Sequence, residues 1–201
     1  MKVIAGLGNP GEAYRASRHN AGSLVVAGLA AEYGIRLAAG RGDFMSGVGS
    51  IGGARALLVV PLTYMNRSGD ALSEALAGCG GAPEDLLVVC DDVDLPFGQL
   101  RFRRSGGDGG HKGLRSIIER LSSAAFARLR LGVGRPPSDV ETSEYVLDRF
   151  LPEEEEAARE MTARAVDAVA LMLREGLEAA MNEYNRRLVP KEDPTTRRSD
   201  E

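Results

Sequence analysis

This chain of 201 residues contains two histidines, His19 and His111. An unperturbed imidazole titrates at about 6.5, which suits proton transfer near neutral pH. His19 lies in Ser17-Arg18-His19-Asn20-Ala21-Gly22, where a loop runs into a helical pattern, and His111 lies among glycines. Catalytic groups are often presented on loops at element ends, so His19 is the candidate general base. Such a base needs a partner that fixes its tautomer and steadies the imidazolium. Asp91 and Asp92, just after an apolar run, are the candidates, with turn capping by Asp91, Asp92 and Asp94 as the plainer alternative. Asn9 and Asn66 follow other strand-like runs, and their amides can hold a carbonyl or polarise a developing oxyanion, although each also suits a turn. No Ser or Cys sits in a nucleophile-elbow context, and no cluster has metal-ligand spacing. The chemistry that fits is activation of water rather than covalent catalysis.

Positioning these groups falls to alternating elements. Residues 2–5 read as a buried strand, followed by a glycine-rich turn and a helix over 21–33 with Leu24, Val25, Leu29 and Ala30 on one side. Gly52-Gly53 closes a hairpin between 46–51 and 54–60. A helix near 69–77, a strong strand over 86–90, a turn at 95–98 and an alternating strand over 99–104 come next. A glycine loop at 106–110 leads to a helix over 114–121 and a strand over 126–132, where Arg128 and Arg130 share a face. Pro152 with Glu153–Glu156 suits a helix start. Gly176 divides that helix from a short last one. Strands and helices mixed in this way predict one α/β domain over 1–187 with a mixed sheet flanked by helices, and polar residues 188–201 predict a disordered tail.

Composition narrows the setting. Hydrophobic content of 43% and charged content of 27% suit a soluble globular protein. No apolar run approaches the roughly 18 residues of a membrane span, and the first residues lack a secretory pattern. Cys79 and Cys90 have neither metal nor redox spacing, which suits reduced thiols in the cytoplasm. The formal charge is −4, but residues 101–130 hold eight Arg and Lys against Asp108 and Glu119, a local +6. Such polarity suits one face for a phosphate backbone, or an ordinary solvated face.

Gly6-Leu7-Gly8-Asn9-Pro10-Gly11 fits the G-x-G-x-x-G fingerprint after a strand. A dinucleotide site needs its helix to start at that loop. Here residues 12–19 intervene, Pro10 removes an amide donor, and no acidic residue ends a second strand about 20 residues on. The fingerprint is therefore declined, and NAD binding is not expected.

Taken together, the motifs are similar to those of bacterial peptidyl-tRNA hydrolases. The opening glycine segment, Tyr14 and Arg18-His19-Asn20-Ala21-Gly22 resemble the family's first signature. Pro61-Leu62-Thr63-Tyr64-Met65-Asn66-Arg67-Ser68-Gly69 resembles the second. Asp91-Asp92-Val93-Asp94-Leu95-Pro96-Phe97-Gly98 and Gly109-Gly110-His111-Lys112-Gly113-Leu114 resemble the third and fourth. The likeness spans about residues 1–187. It implies a compact α/β domain with a twisted mixed sheet, usually monomeric, that hydrolyses the ester between a peptide and the terminal ribose of tRNA. It implies His19 as base, Asp91 as its partner, and Asn9, Tyr14, Met65, Asn66 and Lys112 around the peptide end. Arg103 and Arg130 fall where the family clamps a tRNA phosphate. No metal, organic cofactor or protein partner is implied.

The chain departs from the family at two positions. Cys90 stands where histidine is frequent, and Lys112 where the best-known members have asparagine. Asparagine donates and accepts, whereas an ammonium only donates, so Lys112 is expected to contact a substrate carbonyl or a tRNA phosphate. A non-catalytic RNA-binding relative, as among plant splicing factors of this fold, is the competing function. The intact set of Asn9, His19, Asn66 and Asp91 argues against it.

Overall fold

Side chains alternate along β1 (Lys2–Gly6), so that Val3 and Ala5 enter one apolar core and Ile4 the other. That strand lies near the middle of a seven-stranded sheet in this computed structural model, which describes residues 1–186. The other strands are β2 (Ala38–Ala39), β3 (Phe44–Ile51), β4 (Ala54–Pro61), β5 (Leu86–Asp92), β6 (Leu100–Arg103) and β7 (Ala127–Gly132). They run in the order β2-β3-β4-β1-β5-β7-β6. The inner four, β4, β1, β5 and β7, are parallel, and the flanking pairs are antiparallel. Parallel strands need helices on both faces. The helices are α1 (Ala21–Glu32), α2 (Ser68–Cys79), α3 (Lys112–Leu121), a short α4 (Thr142–Tyr145), α5 (Glu155–Glu175) and α6 (Leu177–Tyr184).

Each face has its own core. Val25 and Leu29 of α1, Met161 and Val166 of α5, and Ala180 of α6 pack with Ile4, Leu58, Leu87 and Phe102. Leu72 of α2 and Leu114 and Ile117 of α3 pack with Val3, Val59 and Val88 on the other side. The result is the expected mixed α/β sheet between helical layers. Both Gly52 and Gly53 have positive φ, 57° and 86°, as a tight hairpin requires. The edge strand β6 is covered by a side chain: Asn185 Oδ1 accepts from the Phe102 amide at 2.7 Å and Asn185 Nδ2 donates to the Phe102 carbonyl at 3.2 Å.

Several boundaries move from the sequence expectation. β5 runs through Asp92, so both aspartates belong to the strand. α3 starts at Lys112, because the His111 side chain caps it. The helix expected from Pro152 begins at Glu155, and α4, at four residues, is too short to show a helical period. The predicted tail, 188–201, lies outside the described residues.

The path β1–α1–β4 covers one face and β5–α3–β7 the other. The sheet therefore changes sides between β1 and β5, and the carboxyl ends of such neighbours leave a crevice open.

Candidate active site

Glycines bring the walls of this crevice together. A Cβ on Gly22 would lie 2.1 Å from the Val89 carbonyl oxygen and 2.8 Å from the Leu7 amide nitrogen, so only glycine lets α1 rest against β1 and β5. The turn ahead of α1, Arg18–Asn20, is consequently held beside the end of β5. Its far side is fixed by Arg18, a buried side chain missed in the sequence. Arg18 donates to the Arg149 carbonyl at 2.6 Å, pairs with Glu154 and lies 4.2 Å from the centroid of the Tyr145 ring. The His19 amide donates to the Val146 carbonyl at 2.7 Å.

The His19 imidazole then meets Asp91. Nδ1 lies 2.8 Å from Oδ1 and 3.0 Å from Oδ2 of a carboxylate that is 4% exposed. The second imidazole, for which no role was expected, converges on the same group: His111 Nε2 lies 3.1 Å from Asp91 Oδ1. Its other nitrogen accepts the Gly113 and Leu114 amides at 3.1 and 3.3 Å. An acceptor Nδ1 leaves the proton of neutral His111 on Nε2, which donates to Asp91. By the same logic His19 donates from Nδ1 and keeps a lone pair on Nε2. Burial alone would push the Asp91 carboxyl up. The charge and hydrogen bond of His111, with those of His19, outweigh it and hold the group well below the usual carboxylate range.

Asn9 completes the inner site. Its backbone amide and carbonyl are tied to the Asn20 side chain at 2.8 and 3.0 Å, and its Oδ1 accepts the Met65 amide at 2.8 Å. That commitment of Oδ1 leaves Nδ2 as the group presented to the cleft. Met65 is buried against Gly113, where an added Cβ would come 2.5 Å from its sulfur.

The cleft around these groups has a volume of about 1010 Å³ and is lined by Asn9, Tyr14, His19, Met65, Asn66 and Lys112 among others. Asn66 and Lys112 are exposed at its rim, and Tyr14 is half-buried. Arg130 also reaches the cleft, with Nε 2.7 Å from Asp92 Oδ2. The N–H is not aimed for a good hydrogen bond, so that contact is an ion pair and little more. Arg103 lies elsewhere, exposed on edge strand β6 and opposite Arg128 in the ladder, just as Arg101 is opposite Arg130. Leu100 and Phe102 enter the core below, which places these four arginines on the opposite sheet face.

Only His19, Asp91 and His111 cluster as metal ligands do among the described residues, with ligand atoms within 4.8 Å. The donor set fits a metal poorly. To bind through Nε2, neutral His111 would have to protonate the Nδ1 that caps α3. No helix among the described residues is long and apolar enough to cross a membrane.

Comparison with known proteins gives the same frame throughout. The profile described as peptidyl-tRNA hydrolase matches residues 3–192. This chain belongs to the peptidyl-tRNA hydrolase family. A peptidyl-tRNA hydrolase of Chloroflexus aurantiacus is 45% identical over 189 residues, covering 92% of this chain and 99% of the relative. One from Roseiflexus castenholzii is 46% identical over 202 residues, covering 100% and 93%. The crystal structure of the peptidyl-tRNA hydrolase from Acinetobacter baumannii superposes with a TM-score of 0.86 at 38% identity, covering 92% of this chain and 94% of that one. Membership of this family accounts for the shared α/β sheet.

Proposed function

We propose that this peptidyl-tRNA hydrolase cuts the ester between a peptide, or an N-blocked aminoacyl group, and the 3′-terminal ribose of tRNA, with His19 as general base on water. The observation that carries the mechanism is the bond from His19 Nδ1 to a buried, charged Asp91 beside Asn9 in an open cleft. Nε2 takes the proton of a water as that water attacks the carbonyl carbon, and Asp91 stabilises the imidazolium that forms. His111 acts on Asp91 as a positioning residue. Asn9 Nδ2 donates to the carbonyl oxygen as it gains negative charge. The ribose oxygen leaves with the proton returned by His19, and the acid and the free tRNA separate.

Tyr14, Met65 and Asn66 wall the peptide end, and Lys112 at the rim donates to a substrate carbonyl or a tRNA phosphate. Arg103 and Arg130 clamp phosphate on the arginine-bearing face. The residues themselves supply the chemistry without a metal or organic cofactor, and the protein works as a cytoplasmic monomer.

Purified protein should release free tRNA from N-acetylaminoacyl-tRNA. His19→Ala should lower kcat by about 100-fold or more while tRNA binding, measured by filter retention, stays within about twofold. Equal binding with no hydrolysis by the parent protein would favour a non-catalytic RNA binder. Lys112→Asn should change kcat/KM by less than about tenfold; a gain of orders of magnitude would remove Lys112 from the productive site.

A further inference from the structure

Arg128 is 2% exposed and has no carboxylate among its hydrogen-bond partners. Its guanidinium instead donates to the Gly106 carbonyl at 2.6 Å, the Gly107 carbonyl at 2.8 Å and the Ala124 carbonyl at 3.4 Å. The Phe126 ring, with its centroid 4.4 Å from the guanidinium carbon, fixes the plane of the fork. Burial pushes the Arg128 pKa down, a sign that its charge is costly where it sits. An apolar side chain of similar length would fill the same space without that cost. What the guanidinium adds is direction: within one rigid plane Nη1 holds the two consecutive carbonyls of Gly106 and Gly107 while Nη2 reaches the Ala124 carbonyl.

The path from that fork to the site is short. Gly106 has φ of 151°, a conformation open to glycine, which lets its carbonyl turn inward. Asp108 follows at once; its carbonyl accepts the His111 amide at 2.9 Å, and its Oδ1 accepts the Gly110 amide at 2.8 Å. His111 then caps α3 with one nitrogen and reaches Asp91 with the other. A loop released from Arg128 would keep Asp108 and Gly110 together and let the whole turn drift, and the bond to Asp91 is its most demanding contact.

We propose that Arg128 is a positioning residue for hydrolysis, acting through the 106–108 backbone to hold His111 against Asp91. The inference rests on the general-base reading above, and turnover by the parent protein tests that reading separately. Arg128→Met should lower kcat by about 10- to 100-fold and leave KM within about twofold, because Arg103 and Arg130 are untouched. In a His111→Ala background the same substitution should cost no further kcat, since the residue it acts through is gone.

Because the chain has only two histidines, nitrogen NMR gives a readout that needs no activity. In Arg128→Met the His111 Nε2–H signal should broaden or vanish while the His19 Nδ1–H signal persists. Arg128→Lys, which keeps the charge without the fork, should lie between parent and Met variant, and carries the same cycle if Arg128→Met does not fold. Additive losses in the double variant, a loss confined to KM, or an unchanged His111 signal would each overturn the proposal.

Discussion

Residues 6–22 and residues 106–113 each carry an imidazole to the same carboxylate, yet glycine serves the two segments differently. In the first, it removes bulk: a Cβ on Gly6 would lie 2.3 Å from the Gly22 carbonyl oxygen, and one on Gly22 would run into Val89. In the second, the glycines ahead of His111 supply backbone angles: Gly109 and Gly110 have φ of 57° and 83°, and no atom lies within 3.4 Å of a Cβ added at either, whereas Gly113, beyond the imidazole, is again packed, against the Met65 sulfur. The first segment is fixed by packing against the sheet and the second by its turns and the Arg128 fork. Packing leaves no room for a side chain anywhere near the contact. A turn tolerates added volume and resists only the wrong dihedral.

The largest test of that contrast is Gly22→Ala. Backbone sits on both sides of the new methyl and cannot yield cheaply, so stability in urea should fall by about 3 kcal/mol or more. A loss under 1 kcal/mol would mean that α1 can move off β5. Asp91→Asn comes next, since both segments converge there, and should cost about 1.5–3 kcal/mol at neutral pH through lost charge-assisted bonds. Its sign with pH follows from the lowered carboxyl. The contribution is present above the unfolded value of about 3.9 and drains away as pH falls toward the folded one. The gap between parent and variant should therefore narrow at pH 3; a constant gap would show that charge on Asp91 adds nothing to the fold. Gly109→Ala is the mildest, about 1 kcal/mol from the left-handed conformation alone, with little change in the midpoint at which the first segment unfolds.

Much of this site was legible along the chain. His19 at a loop–helix junction and Asp91 after an apolar run carried chemical signals by type and place, and the fold brings them within 2.8 Å. The helix at 21–33 and the glycine hairpin followed from periodicity and turn chemistry, which are local properties. His111 was visible as a residue but not as a partner, because a glycine-rich context gives no hint of what lies across the cleft. That only two histidines exist could have prompted the question. Arg18 and Arg128 were missed for a related reason: charged residues are expected outside, and only the tertiary structure shows guanidiniums buried on backbone carbonyls. The strand through Asp92 was read short because aspartate disfavours strands, a propensity that pairing with β7 overrides.

The side chain of Asn185 on Phe102 bears on how the protein behaves in a crowded solution. An open edge strand invites another chain to pair with it, and β6 is the last strand on its side of the sheet. By occupying both outward backbone groups at the middle of that strand, one amide denies a second molecule its template. Shortening the chain to end at Tyr184 would thus keep α6 at its full length yet leave a sticky margin and favour concentration-dependent self-association.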